Sequence, residues 1–333
     1  MSAERRRGLL RLGILVVSIL GLIVLGISVT RGGSGSSSGA AARSGPPPAR
    51  LTATELPARL PVALHGLAAA RLVNGLLLVG GADSADRSRS SVYRFDPKGP
   101  NGGTMTTYGS LSQPLHDAAA ATVNRETLVF GGGNTSTLDT VQALAPGGVA
   151  TPVGRLPDQL SDLSALTVGQ AAYILGGFNG NSPSASVFQT TDGRTFTRVA
   201  RLPTPVRYAA VAAIQDKIYV FGGELANGQD TNLIQEYDIA TERAVVAGHL
   251  IEPVSHASAV TLDGGIYLLG GRRIGAASDR ILRFDPTRNL ALPAGRLPAP
   301  VFDGAARTFG THAYLVGGLG RNGSALDTVI SLR

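Results

Sequence analysis

One 22-residue pattern recurs six times in this chain without an insertion or deletion. Each copy opens on a leucine, at Leu60, Leu111, Leu156, Leu202, Leu250 and Leu297, and closes on a Gly-Gly pair. The first glycines are Gly80, Gly131, Gly176, Gly222, Gly270 and Gly317. Every copy holds two apolar runs joined by a short polar turn; the turns contain Asn74-Gly75, Asn124-Arg125, Gly169-Gln170, Gln215-Asp216, Asp263-Gly264 and Gly310-Thr311. Two strands joined this tightly make a β-hairpin. The first run is rich in Ala and Val, which suits strands converging on a crowded centre.

A third strand is expected after each Gly-Gly and its variable polar loop, as in Val92–Phe95, Ile234–Tyr237 and Val329–Leu332. A weaker fourth strand leads into the next Leu, as in Thr195–Val199 and Arg243–Ala247. Successive Gly-Gly pairs lie 45 to 51 residues apart. Four antiparallel strands at that period are one propeller blade, and a blade buries both faces of its sheet only between neighbours. The last copy ends after its third strand, whereas a spare strand, Leu51–Leu56, precedes the first copy. The N-terminal strand is therefore expected to complete the sixth blade, leaving no unpaired edge at the seam. The expected fold is all-β, a six-bladed propeller over residues 51–333.

The hairpin ending in Gly-Gly resembles the kelch repeat, most closely in the fourth copy, VRYAAVAAIQDKIYVFGG. Two departures stand out. Kelch blades usually carry a Trp in the fourth strand, but this chain has none, and the nearest equivalent is Phe196. Of the Arg residues that usually open the first strand, only Arg207 has a likeness here. Ligand contacts known in other kelch proteins therefore do not transfer as a set.

Residues 12–30 form an uncharged apolar run, long enough as a helix to reach roughly 28 Å and cross a bilayer core. Arg5, Arg6, Arg7 and Arg11 precede it and only Arg31 follows closely, an asymmetry that keeps residues 1–11 in the cytoplasm and exports the rest. The one nearby Ala-x-Ala site, Ala40–Ala42, lies ten residues past the apolar run. An uncleaved signal anchor is the preferred expectation, with secretion after cleavage as the alternative. Residues 31–50, rich in Gly and Ser and ending in prolines, read as a disordered tether.

The net charge of +7 belongs almost wholly to the first 50 residues, which hold seven Arg and one Glu; 23 basic and 22 acidic side chains remain beyond them. That balance argues against nucleic acid as a partner. With no Cys, the chain has no disulfides, and an exported domain of this size buries enough core to do without them.

The loops from fourth to first strands and from second to third strands surround one mouth of the central channel, where binding residues are expected. The first set carries His65, His116, Arg207, His256, Asp117, Asp162 and Asp303; the second carries Arg87, Arg272, Glu224 and Arg321. The bland reading is that these residues cap strand starts or solvate loops. The sharper one is a polar binding site at the axis, with Arg forks available for carboxylates. His65, His116 and His256 could hold a metal, but their spacing demands none, and no metal or cofactor is expected.

No Gly-x-Ser-x-Gly or His-Glu-x-x-His signature is present. The sequence favours a monomeric, membrane-anchored, extracytoplasmic binding module for a protein or a polar, carbohydrate-like ligand. The kelch resemblance implies two enzymatic alternatives. A copper radical oxidase is excluded because its cofactor needs a Cys. A sugar-active enzyme of the sialic-acid mutarotase type stays open, since it needs only a positioned acid and base.

Overall fold

The structure, a computed structural model, describes residues 50–333. The expected anchor over 12–30 and nearly all of the tether lie outside the described residues, among which no helix is long and apolar enough to cross a membrane. Six four-stranded antiparallel sheets follow one another along the chain. We number them as blades 1 to 6. Their innermost strands are Ala68–Leu72, Ala119–Val123, Ser164–Val168, Ala210–Ile214, Ser258–Leu262 and Ala305–Phe309. Each packs on the innermost strands of both neighbouring blades, so the six close a ring about a central channel.

The second strand of each blade shows why the apolar runs are unbroken. In blade 3, all five residues of Ala171–Leu175 are buried, because both faces of the sheet lie against other blades. A strand covered on both sides reads as a continuous hydrophobic run rather than an alternation. Phe95, Phe130, Phe188, Phe221 and Phe284 fill the spaces between blades and are fully buried, each contributing roughly 2 kcal/mol of transfer free energy. Phe196, at the place usually held by Trp, packs edge-on against Phe130 at 6.3 Å.

The hairpin turns fall where expected in five blades. In blade 1, Leu72 pairs with Gly75, so the two-residue turn is Val73-Asn74 and Gly75 already belongs to the second strand. The shift has a steric cause, since a Cβ on Gly75 would sit 2.3 Å from the Phe95 carbonyl oxygen of the next strand.

The Gly-Gly pair is an inter-blade fastener. In blade 4, Gly222 has φ +61°, and a Cβ there would fall 2.0 Å from the Val254 carbonyl oxygen of blade 5's entry loop. That same carbonyl accepts the N–H of Gly223 at 2.8 Å. Every blade repeats this bond to the next, ending with Gly318 N–H to the Leu64 carbonyl. The repeat's opening leucines are buried at the same seams; Leu111 packs beside Gly80 and Leu60 beside Gly317.

The last blade is composite. Ala53–Leu64 is its outermost strand, paired with Leu326–Leu332 from the C-terminus, with Ala53 opposite Leu332 and Glu55 opposite Ile330. Thr52 and Arg333 exchange two backbone hydrogen bonds, and Leu51 is buried at the junction with blade 5.

Candidate functional site

The residue two positions before each innermost strand lines the axial mouth: Gly66, Asp117, Asp162, Tyr208, His256 and Asp303. All six have left-handed backbones with φ between 51° and 60°. Each donates its backbone N–H to the carbonyl of its counterpart in the preceding blade, and Gly66 donates to Asp303, so six bonds of 2.8–3.1 Å close a circle around the channel mouth. Asp tolerates this conformation; for Tyr208 and His256 it is uncommon. The circle aims five polar side chains into one small cavity of about 100 Å³. Gly66 leaves the space that Asp117 needs: a Cβ on it would lie 2.5 Å from Asp117 Oδ1.

A second circle lies one residue earlier, comprising His65, His116, Ser161, Arg207, Ser255 and Phe302. Each is bridged to the residue just after its blade's Gly-Gly pair, such as Arg207 to Glu224 and Ser255 to Arg272. His256 therefore belongs to the inner circle, whereas His65 and His116 belong to the outer one. The three imidazoles have separate partners. His65 Nδ1 meets Asp303 Oδ2 at 3.0 Å, His116 Nδ1 meets Ser88 Oγ at 2.9 Å, and His256 Nδ1 meets Ser255 Oγ at 2.9 Å. Among the described residues, no group of three His, Cys, Asp or Glu side chains is arranged to hold a metal ion.

The inner circle is electrostatically crowded. Burial pushes the Asp117 carboxyl well above the usual range, and the charges of Asp303 and Asp162 push it further. Asp162 is raised to about 6, again mainly by burial, against the opposing pull of the Ser161 hydroxyl and Arg207. Tyr208 O–H donates to Asp117 Oδ2 at 3.4 Å, and burial with the nearby carboxylates strongly raises its pKa. The Tyr208 ring stacks on His256 at 3.8 Å, and burial lowers the pKa of that imidazole. The mouth thus presents a carboxyl pushed upward by burial at Asp117, another raised to about 6 at Asp162, and a phenol on a flat aromatic pair.

On one side an ion-pair chain braces the circle. Arg207 bonds Glu224, with Nε to Oε1 at 2.9 Å, and reaches Asp162 Oδ2 at 3.4 Å. Glu224 also takes Arg272 Nη2 at 2.7 Å, and Arg272 bonds Asp230 at 2.8 Å. Burial disfavours ionised Glu224, but hydrogen bonds from Arg207 and Arg272 outweigh it and hold its pKa below the usual value. The Arg207 guanidinium also lies over the Phe178 ring at 4.8 Å.

Two sequence candidates sit apart from this cluster. Arg87 and Arg89 both bond Asp83 within their own loop, whose carboxyl is held at about 2 by the Ala85 N–H and by Arg87. Arg321 lies exposed in the blade 6 loop, outside the ion-pair chain. Tyr208 and Phe178 were not legible as site residues, because aromatic side chains in this sequence otherwise mark core. Their only traces are positional: Tyr208 shares the recurring place two residues before each innermost strand, and Phe178 directly follows its blade's Gly-Gly pair.

Six four-stranded blades, each fastened to the next by the Gly-Gly of its hairpin, define a six-bladed β-propeller, and the comparisons with known proteins support one of the kelch-repeat kind. The Kelch motif family model matches residues 205–243, which include Arg207 and the first three strands of blade 4. Beta-scruin of Limulus polyphemus is 27% identical over 114 residues, covering 32% of this chain and 12% of that protein. The chain thus spans a small part of that relative. The structure of YjhT superposes with a TM-score of 0.73 at 15% identity, over 84% of this chain and 99% of the other, a likeness of fold.

Proposed function

We propose that this protein is a membrane-anchored, extracytoplasmic binding module whose axial mouth captures a polar, carbohydrate-like end group. One observation carries the reading: Asp117, Asp162, Asp303, Tyr208 and His256 converge on one small cavity at the end of the channel. Such convergence of polar groups on a rigid circle is costly unless it serves recognition. The carboxyls of Asp117, Asp162 and Asp303 offer hydrogen-bond partners to the hydroxyls of such a ligand. The Tyr208–His256 stack offers a flat face to a sugar ring. Val245 and Val246, exposed apolar side chains, lie on the outer strand of blade 4.

A glycan and cell-wall-fragment panel, screened by thermal shift on the full chain and followed by calorimetry, tests the reading. Saturable binding that Asp162→Asn weakens at least tenfold supports it. Silence across the panel, with no shift for any saccharide, overturns it.

A second reading, a sugar-active enzyme of the mutarotase type, is favoured by the contrast between Asp117 and Asp162. One is pushed well above the carboxylate range and the other only to about 6, giving an acid beside a base. Anomer interconversion of N-acetylneuraminate followed by NMR tests it; a rate equal to buffer alone rules it out.

A further inference from the structure

The innermost strand of blade 6 carries a residue unlike any of its counterparts. Arg307 stands where the other blades place Ala70, Ala121, Leu166, Ala212 and Val260. Its side chain crosses the channel. Nη1 donates to the Ala306 carbonyl at 2.9 Å, and Nη2 donates to the carbonyls of Ala120 at 3.2 Å and Ala165 at 3.0 Å, in blades 2 and 3. A guanidinium has five N–H donors, so these three bonds leave two without a protein acceptor. No ion pair involves Arg307 among the described residues, and burial alone, with no carboxylate opposing it, lowers its pKa to about 10. The group therefore stays cationic at neutral pH without a counter-charge.

Below Arg307 the channel widens, on the hairpin-turn side, into a chamber of about 720 Å³. This lies within the size range of small-molecule sites. Leu72, Leu166, Val211 and Val260 give it apolar walls, and the exposed Arg71 and Arg125 lie toward its hairpin end. The threonine hydroxyls around it are already engaged: Thr122 with the Arg71 carbonyl, Thr167 with Thr122, Thr261 with Ala213 and Thr308 with Thr261. Asp216 and Asp263 occupy neighbouring turns but do not line the chamber. What remains is an apolar cavity with a forked cation at its inner end and two more cations toward its entrance.

We propose that this chamber binds an amphiphilic anion, a carboxylate or phosphate monoester on a short apolar body, entering from the hairpin face. The anion meets the free N–H groups of Arg307, the body lies against the aliphatic walls, and Arg71 and Arg125 draw it in by long-range attraction. The site is separate from the axial mouth and takes a ligand of different chemistry.

Calorimetric titration of the full-length protein with hexanoate, hexyl phosphate and hexanol tests the proposal. Saturable binding of at least one anion, with hexanol at least tenfold weaker, is expected; whichever anion binds tighter names the head group. The double variant Arg71→Gln/Arg125→Gln, confined to exposed side chains, should weaken the tighter anion about 3- to 10-fold and flatten its salt dependence. Arg307→Gln should abolish saturable binding while leaving saccharide binding at the opposite mouth in place, and Arg307→Lys should retain a weaker affinity. If Arg307→Gln does not fold, the double variant decides. Equal affinity for hexanol, absence of saturable anion binding, or wild-type affinity in the double variant overturns the proposal.

Discussion

His65 Nδ1 and Asp303 Oδ2 lie 3.0 Å apart although 238 residues separate them in sequence. The pair joins blade 1 to blade 6 at the channel mouth, while Ala53–Leu64 joins the same two ends of the chain at the periphery. The ring is therefore closed twice, by a polar contact at its centre and by a strand at its rim.

The central closure should depend on pH. Burial opposes charge on His65, but Asp303 and, through Nε2 at 3.2 Å, Asp86 outweigh it and raise the imidazole pKa. A His with a raised folded pKa stabilises fully below its unfolded value of about 6.5, and the benefit fades as pH rises through the folded pKa. Solvent around Asp86 limits the effect to ~1 kcal/mol or less. His65→Gln should thus melt measurably below wild type at pH 5.5 and converge on it by pH 9. A constant gap across that range would contradict a charged His65.

The peripheral closure should contribute more. Deleting residues 51–59 removes the buried Leu51 and the Ala53–Leu332 and Glu55–Ile330 pairings. The loss should be several kcal/mol, lowering the melting temperature by about 10 °C or more for a domain of this size. A truncated chain that melts cooperatively at the wild-type temperature would mean that the N-terminal strand is not the clasp.

Asp162 should trade stability for its place at the mouth. Its pKa of about 6 in the folded chain exceeds the roughly 3.9 of an unfolded Asp. Between those values the folded state binds more protons than the unfolded state, so stability falls as pH rises, and above pH 6 the loss is complete. Asp162→Asn is expected to be more stable than wild type at pH 7, by on the order of 1–2 kcal/mol, with the advantage vanishing near pH 4. Chemical denaturation at the two pH values gives the comparison; a destabilised variant at pH 7 would sink this account.

Two glycines with similar backbones should respond very differently to alanine. Gly222 and Gly228 both have positive φ, at +61° and +76°. A Cβ on Gly222 would collide with the Val254 carbonyl, whereas one on Gly228 meets nothing within 4 Å. Gly228→Ala should cost about 1 kcal/mol of backbone strain. Gly222→Ala should cost about 3 kcal/mol or more, because the fastener to blade 5 must move as well. Equal melting temperatures for the two variants would remove the steric role assigned to the Gly-Gly pair.

The scaffold was largely readable from the chain. Five of six hairpin turns, all six third strands and the composite last blade follow from runs and punctuation that each repeat carries locally. The exception, at Val73-Asn74, arose because Gly75 serves a close approach to Phe95 rather than a turn, a need visible only once the third strand is in place. The site was readable only in part. The loop histidines, Arg207 and Asp303 were conspicuous as polar residues beside apolar runs, and Glu224 and Arg272 as loop charges. The division into two circles, the Tyr208–His256 stack and the partnering of Arg87 with Asp83 were not, since each depends on which side chains face across blades.

The sequence by itself determined the number of blades, their hairpins and the strand that closes the ring. Backbone hydrogen bonding and burial on both sheet faces make the same demands in every repeat, so each repeat must state them. The tertiary structure alone decided what meets at the axis. Asp117, Asp162 and Asp303 lie 45 or more residues apart and become neighbours only when six strands converge. In the sequence Arg307 is one charged residue at the end of a small-residue run, and only the closed ring makes it a half-buried cation spanning the channel.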